Sequence, residues 1–233
     1  MGALFVTGTD TEAGKSVLGA CLLAAMRAAG EEVRACKPVL TGLDDDGSGP
    51  GVWPADDALL AIAAGMERGD VAPLRFGPAV SPHLAAELAG EPIDPGELLA
   101  RTRAAIAGAS AAVVEGVGGL LVPLAGEWTV RDLAAALGLP LVVAARPGLG
   151  TISHTLLTLE AARSHGLEVR AVVLTPWPSE PGEIELSNRA TITRLGGVEV
   201  ATLGPLRRPD PAELARAGAA LPWRDWLGEP SAA

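Results

Sequence analysis

Short, mostly apolar runs without strict alternation are interspersed along this chain with longer stretches whose apolar residues recur at helical spacing. Residues 3–7, 33–36, 111–114, 141–144, 169–174 and 198–203 are of the first kind. A strand apolar on both faces leaves no side for water, so it belongs inside a parallel sheet with helices on both faces. Helices are predicted near 15–29, 129–137, 152–165 and 183–195, giving the right-handed crossovers that parallel neighbours require. The Gly- and Asp-rich stretch 42–51 reads as a mobile loop. Residues 222–227, with Trp223 and Trp226, read as a short helix docking on the body. No repeat, low-complexity tract or linker divides the chain, so 1–227 reads as one domain and 228–233 as a frayed tail.

At 233 residues the chain is long enough to bury a proper core. Its formal charge of −10 argues against nucleic acid or an anionic membrane as partner, since both are gripped by a basic face. A small anion is still admissible, because a few local donors outweigh a distant net charge. Two cysteines, Cys21 and Cys36, are too few for a disulfide scaffold or a tetrahedral zinc site and read as buried thiols. No basic leader precedes an apolar core, and no apolar run approaches the ~20 residues of a membrane span. A cytoplasmic protein is the expectation.

Sixteen of the eighteen basic residues are arginine; the two lysines are Lys15 and Lys37. In such a chain a lysine marks a place that wants a compact ammonium rather than a planar fork. Lys15 stands in Gly8-Thr9-Asp10-Thr11-Glu12-Ala13-Gly14-Lys15-Ser16, between the first strand and the first helix. Glycines there let successive N–H groups point into one hollow, and the helix N-terminus adds unpaired donors. Lys15 then reaches the β- and γ-phosphates and the Ser16 hydroxyl reaches Mg²⁺. The glycine spacing is one residue longer than the strict motif, with Thr9 at the first glycine position. The fold class expected is a single-domain α/β fold like that of phosphate-loop nucleoside triphosphatases.

Such a loop needs carboxylates for its metal. Glu115 follows a strand of small apolar residues and so faces the catalytic edge. Asp56 and Asp57 open the run Asp57-Ala58-Leu59-Leu60, where an aspartate either caps the helix or reaches the metal. Asp44-Asp45-Asp46 lies among glycines and reads as a solvated loop. Ser81-Pro82-His83 reads as a capped helix start, and His154 as a structural hydrogen-bonding residue.

Several segments together resemble the dethiobiotin synthetase family. They are Val6 to Glu12 with Gly14-Lys15-Ser16, Cys36-Lys37-Pro38-Val39, Thr41-Gly42, Ser81-Pro82-His83, Val114-Glu115-Gly116-Val117-Gly118-Gly119, and Leu149-Gly150 with His154. The matches run in family order from residue 4 to about 206. The resemblance implies that a diaminopelargonic acid amine captures CO₂ (from bicarbonate) as a carbamate. The γ-phosphoryl of ATP then passes to a carbamate oxygen, and the second amine closes the ureido ring, releasing phosphate. It implies catalytic roles for Lys15, Lys37 and Thr11, with Lys37 between carbamate and γ-phosphate. It further implies Mg²⁺ at Ser16, Asp57 and Glu115, with Asp57 chosen over Asp56 because its Asp-Ala-Leu fits the family better. Nucleotide contacts are implied at Glu12, Ala13, Gly14, Lys15, Ser16, Val17, Gly116, Val117 and Gly118, and around the base at Thr175, Pro176, Gly204, Pro205 and Leu206. Diamine contacts are implied at Thr11, Lys37, Thr41, Gly118 and Gly119. A homodimer is implied too, in which the partner's Leu149, Gly150 and Ser153 receive the substrate tail at the interface.

Two departures from the family carry expectations. Thr175-Pro176 stands where asparagine often reads the adenine edge, and neither residue reproduces a paired donor–acceptor contact. Looser base selection follows, with other nucleoside triphosphates, CTP included, competing with ATP. Ser153 replaces a frequent asparagine, which weakens the grip on the tail. The runner-up reading, a partition-type phosphate-loop ATPase acting as a nucleotide-dependent interaction protein, wants a second lysine early in the loop, and Thr9, Asp10 and Thr11 offer none. An amidotransferase would need a glutaminase domain, and a small-molecule kinase an arginine-rich lid; neither is found.

Overall fold

The computed structural model describes residues 2–44 and 53–228. The first apolar run forms β1 (Gly2–Gly8), buried from Ala3 onward. Leu4 and Val6 enter one core, Ala3 and Phe5 another. Strand side chains alternate between faces, so a run apolar at every position serves two cores at once. The glycine-rich turn leads into α1 (Lys15–Ala28), followed by β2 (Val33–Cys36), β3 (Val39–Leu40) and α2 (Asp56–Ala64). A 3-10 turn at Arg68–Asp70 precedes β4 (Leu74–Arg75), α3 (Pro82–Ala89), α4 (Pro95–Ile106) and β5 (Ala111–Gly119). The hairpin of β6 (Pro123–Ala125) and β7 (Trp128–Thr129) feeds α5 (Val130–Leu137), capped by Thr129 and Asp132. Then come β8 (Leu141–Ala145), α6 (Thr151–Arg163), β9 (Val169–Leu174), α7 (Glu183–Gly196), β10 (Glu199–Thr202), α8 (Pro211–Ala219) and α9 (Trp223–Leu227).

Six strands form the main sheet in the order β10-β9-β8-β1-β5-β2, all pairings parallel. Residues of α1, α2, α8 and α9 pack on one face. Those of α3, α4 and α5 pack on the other, and α6 and α7 cover the β8–β10 end. α8 crosses α1 so closely that a β-carbon on Gly218 would fall 1.9 Å from the Cys21 carbonyl oxygen. Both cysteines are buried and free, their thiols pushed up to about 12 by burial.

The expected fold class stands, with differences of detail. β5 runs on to Gly119 rather than stopping at Val114. A β-carbon on Gly116 would lie 3.0 Å from the side chains of Phe5 and Val130, so glycine is what lets the strand continue between them. α4 escapes pattern reading because its buried stripe is Leu98, Thr102 and Ile106, one of which is polar. From Asp45 onward the expected loop lies outside the described residues, as does the tail beyond Gly228. Among the described residues no helix is long and apolar enough to cross a membrane.

β1 ends in the glycine turn, β2 runs directly into Lys37, β5 carries Glu115 opposite Val6, and Thr175 follows β9. The carboxyl ends of the strands thus bring the chemistry-bearing residues to one edge, where open α/β sheets bind ligands.

Candidate active site

Gly14 caps α1 in the left-handed region (φ 88°), and a β-carbon there would lie 2.6 Å from the Thr175 methyl group. Glycine is therefore required both by the backbone and by space. It brings no capping side chain, which leaves the amides of the first helical turn to an anion. The loop is tied down from outside. The Thr9 N–H donates to the Ala144 carbonyl at 3.0 Å, and that of Thr11 donates to the Asp10 carboxylate at 2.7 Å. Arg146 donates at 3.3 Å to the carbonyls of Thr11 and Glu12, the latter a non-glycine residue at φ 56°. Lys15, buried, donates to the Asp10 carbonyl at 2.9 Å. Burial pushes its pKa down, with the nearby Glu115 carboxylate opposing.

Behind the loop, one buried carboxylate gathers the other groups. Glu115 is fully buried, and its Oε1 accepts from the Ser16 hydroxyl and the Lys37 ammonium, both at 2.7 Å. Its Oε2 has no partner. Lys37, 3% exposed, also donates to Asp56 Oδ2 at 2.5 Å. Burial by itself would lower the Lys37 pKa, but Glu115 and Asp56 outweigh it and hold the ammonium above its usual value. Burial raises the Glu115 carboxyl even against Lys37, whereas Lys37 keeps Asp56 low.

Ser16, Asp56 and Glu115 fit Mg²⁺. Asp56 and Glu115 already hold one cation, the Lys37 ammonium, the Ser16 hydroxyl reaches Glu115, and Glu115 keeps a buried oxygen unpartnered beside these hard donors. Among the described residues no group of three or more His, Cys, Asp or Glu could hold a metal alone. That suits magnesium, which commonly takes one or two carboxylates and completes its shell with phosphate and water.

Asp57 is not part of this set. Its carboxylate is fully buried on another side of α2, where Arg68 Nε and Arg75 Nη1 each donate to Oδ2 at 2.8 Å. Burial alone would raise its pKa, but the two guanidinium groups hold it low. Successive helical residues point about 100° apart, so only one of the pair can face Lys37, and it is Asp56. Asp57, expected as the metal carboxylate, is thus turned to the two arginines, and it is Asp56 that stands beside Lys37.

A cavity of about 600 Å³ opens in front of these groups. Of the expected residues it brings together Thr11, Glu12, Gly14, Lys15, Ser16, Val17, Lys37, Thr41, Val117 and Gly118. Sequence reasoning did not assign Leu40, Val80, Ser81 and Pro82 to its wall, although Ser81-Pro82 was legible as a helix start. Gly119 lines a second cavity, of about 450 Å³, with Thr9, Asp10, His154 and the exposed Leu121 and Leu157. Gly150 caps α6, and Leu149 beside it is 97% exposed; neither they nor Ser153 line the first cavity. On the expected base side, Thr175 is buried against Gly14, while Pro176, Gly204 and Pro205 are exposed. The Trp177 N–H donates to the Leu203 carbonyl at 2.7 Å, which joins the two segments, and Leu206 packs on the core.

A parallel sheet ending in a glycine loop, with a buried lysine and serine at the helix start, defines a protein of the phosphate-loop nucleoside-triphosphatase class. A solved ParA family ATPase from Chlorobium tepidum TLS shares the fold, at TM-score 0.57 and 10% identity, over 97% of this chain and 98% of that one. A family model described as an AAA domain matches residues 2–208. The ATP-dependent dethiobiotin synthetase BioD of Mycobacterium sp. (strain KMS) is 38% identical over 231 residues, 97% of this chain and 98% of the relative. The protein of the same name from Anaeromyxobacter dehalogenans (strain 2CP-1 / ATCC BAA-258) is 42% identical over 218 residues, 93% and 95% of the two chains. The chain belongs to the dethiobiotin synthetase family. These near-full-length relatives do not favour the partition-type reading, for which the ParA likeness supplies the fold alone.

Proposed function

We propose that the protein closes the ureido ring of dethiobiotin, joining diaminopelargonic acid to CO₂ at the cost of one ATP. The observation that carries this reading is the Lys37 ammonium, held by Glu115 and Asp56 at 2.7 and 2.5 Å in the wall of the same cavity as Lys15. A phosphate loop needs one lysine to hold the β- and γ-phosphates. A second, buried ammonium serves a reaction in which two anions, carbamate and γ-phosphate, must approach each other.

One amine attacks CO₂ and loses a proton, giving the carbamate. A carbamate oxygen then attacks the γ-phosphorus, and the bond to ADP breaks. The second amine attacks the carbonyl carbon of the mixed anhydride and gives up its proton, and inorganic phosphate leaves with the carbamate oxygen. The loop amides and Lys15 orient the triphosphate, and Lys37 neutralises charge where the two anions meet. Thr11 and Thr41, with the backbone at Val117 and Gly118, hold the diamine end. Ser16, Asp56 and Glu115 would hold Mg²⁺, which when bound would supply charge neutralisation on the phosphate oxygens.

Burial of Thr175 against Gly14, with Pro176 bringing no N–H, supports loose selection of the base. A site that merely excludes by shape discriminates by roughly 10²-fold, against 10⁴-fold or more when paired hydrogen bonds do the reading. Exposed Leu149, Leu121 and Leu157 support a homodimer whose interface receives the substrate tail. The free thiols of Cys21 and Cys36 suit a cytoplasmic location.

The test is purified protein with the diamine, ¹³C-bicarbonate and Mg²⁺ against ATP, CTP or GTP. The expected product carries one ¹³C per molecule and forms in step with ADP and phosphate; CTP competes within ~100-fold of ATP in kcat/KM. Nucleotide cleavage indifferent to the diamine would overturn the reading.

A further inference from the structure

The pair of arginines on Asp57 has no part in the reaction above, yet it joins the two backbones that the reaction depends on. α2 begins at Asp56 behind Ala55, which offers no capping side chain, so its first turn is anchored through Asp57. Asp57 Oδ1 accepts the Ala58 N–H at 2.9 Å, and Oδ2 takes both guanidinium groups. Arg75 is locked in turn, donating to the carbonyls of Arg68 at 2.7 Å and Ala72 at 3.2 Å. The stretch from Met66 to Arg75, which carries both arginines, is fastened to the other side of the site. The Val71 carbonyl accepts the backbone N–H of Lys37 at 2.8 Å, Met66 Sδ accepts that of Ala35 at 3.2 Å, and Leu74–Arg75 pairs with Val39–Leu40.

Asp57 therefore ties the head of α2, where Asp56 sits, to the strip of chain that holds the Lys37 backbone. We infer that Asp57, Arg68 and Arg75 are positioning residues: a brace that fixes the Asp56 carboxylate against Lys37 and so sets how well the site takes a magnesium–nucleotide. The inference rests on the reading of Ser16, Asp56 and Glu115 as the metal-side oxygens. A fold-stabilising role alone does not account for the brace, because a buried ion pair is commonly replaced by apolar residues at little or no cost in stability. What apolar residues cannot replace is a defined angle at the helix head. Groups behind a metal ligand act in this way, and their loss typically costs about 10- to 100-fold in metal affinity or activity.

The experiment measures binding of a fluorescent non-hydrolysable ATP analogue, with and without Mg²⁺, alongside thermal melting. The brace variant carries Asp57→Leu and Arg75→Met together, leaving Arg68, half exposed, to water. It is expected to melt near the wild type and to bind the magnesium-free analogue equally well, while losing on the order of tenfold of the affinity that Mg²⁺ adds. Asp56→Asn should lose the same increment. If Asp56→Asn keeps the increment, the metal-site reading falls. If Asp56→Asn loses it while the brace variant keeps it, the brace is overturned. Arg68→Gln, at a position that tolerates polar change, is the second variant; it should lose part of the increment, and an increment equal to the wild type in both brace variants refutes the inference.

Discussion

Two ammonium groups face one cavity and are held in opposite ways. Lys15 leans on a neutral acceptor, the Asp10 carbonyl, which a phosphate can outbid. Lys37 is gripped by Asp56 and by a fully buried glutamate. Lys37→Ala leaves Glu115 buried without its counter-charge, at a cost on the order of 3 kcal/mol in the nucleotide-free protein. Turnover should fall by roughly 10³-fold while nucleotide binding survives. Lys37→Arg should not rescue it, because a planar fork does not fit a point-charge site. Melting, nucleotide titration and steady-state kinetics check this; wild-type turnover in Lys37→Ala would remove Lys37 from the reaction. At this scale the scarcity of lysine was legible, since it is a property of composition. The choice between Asp56 and Asp57 was not, because it depends on Arg68 and Arg75, which nothing in the run Asp57-Ala58-Leu59-Leu60 announces.

Among the elements, the strands of the sheet were the easiest to read. Their apolar runs serve cores on both faces, and burial on both faces is visible as the lack of alternation. Helices were legible where an apolar stripe was unbroken and obscure where it was mixed, as in α4. Packing between helices left a different trace, single glycines whose reason appears only in contact. Gly218 is the clearest. The Cys21 carbonyl that its β-carbon would strike is helical backbone and cannot rotate away. Gly218→Ala should therefore push α8 off α1 and cost about 1–3 kcal/mol. That corresponds to a fall in Tm of roughly 2–4 °C per kcal/mol for a protein of this size, read by thermal melting. An unchanged Tm would mean that α8 adjusts freely.

For the whole molecule, the residues matched to the substrate tail lie away from the first cavity of their own chain. Leu149 and Gly150 stand at the head of α6, while Leu121 and Leu157 flank an apolar hollow beside Thr9 and Asp10. Single exposed leucines are ordinary, but two flanking one apolar hollow mark a contact surface. In the proposed homodimer that surface is covered. Leu157→Glu should yield a particle of one chain mass by light scattering, with a raised KM for the diamine and an unchanged fold by circular dichroism. A dimer that persists would place the interface elsewhere.

Sequence alone determined the alternation of buried strands and helices, the loop from Gly8 to Ser16, and the two positions that keep a lysine in an arginine-rich chain. Each is written in local order, as a period, a turn or a residue type, and needs no distant partner to be read. Tertiary structure decided which aspartate meets Lys37, why Gly116, Gly14 and Gly218 are glycine, and which residues wall the cavity. Those depend on distances between segments far apart in the chain. A helix turned by one residue would have presented Asp57 in place of Asp56 with the same sequence and the same pattern.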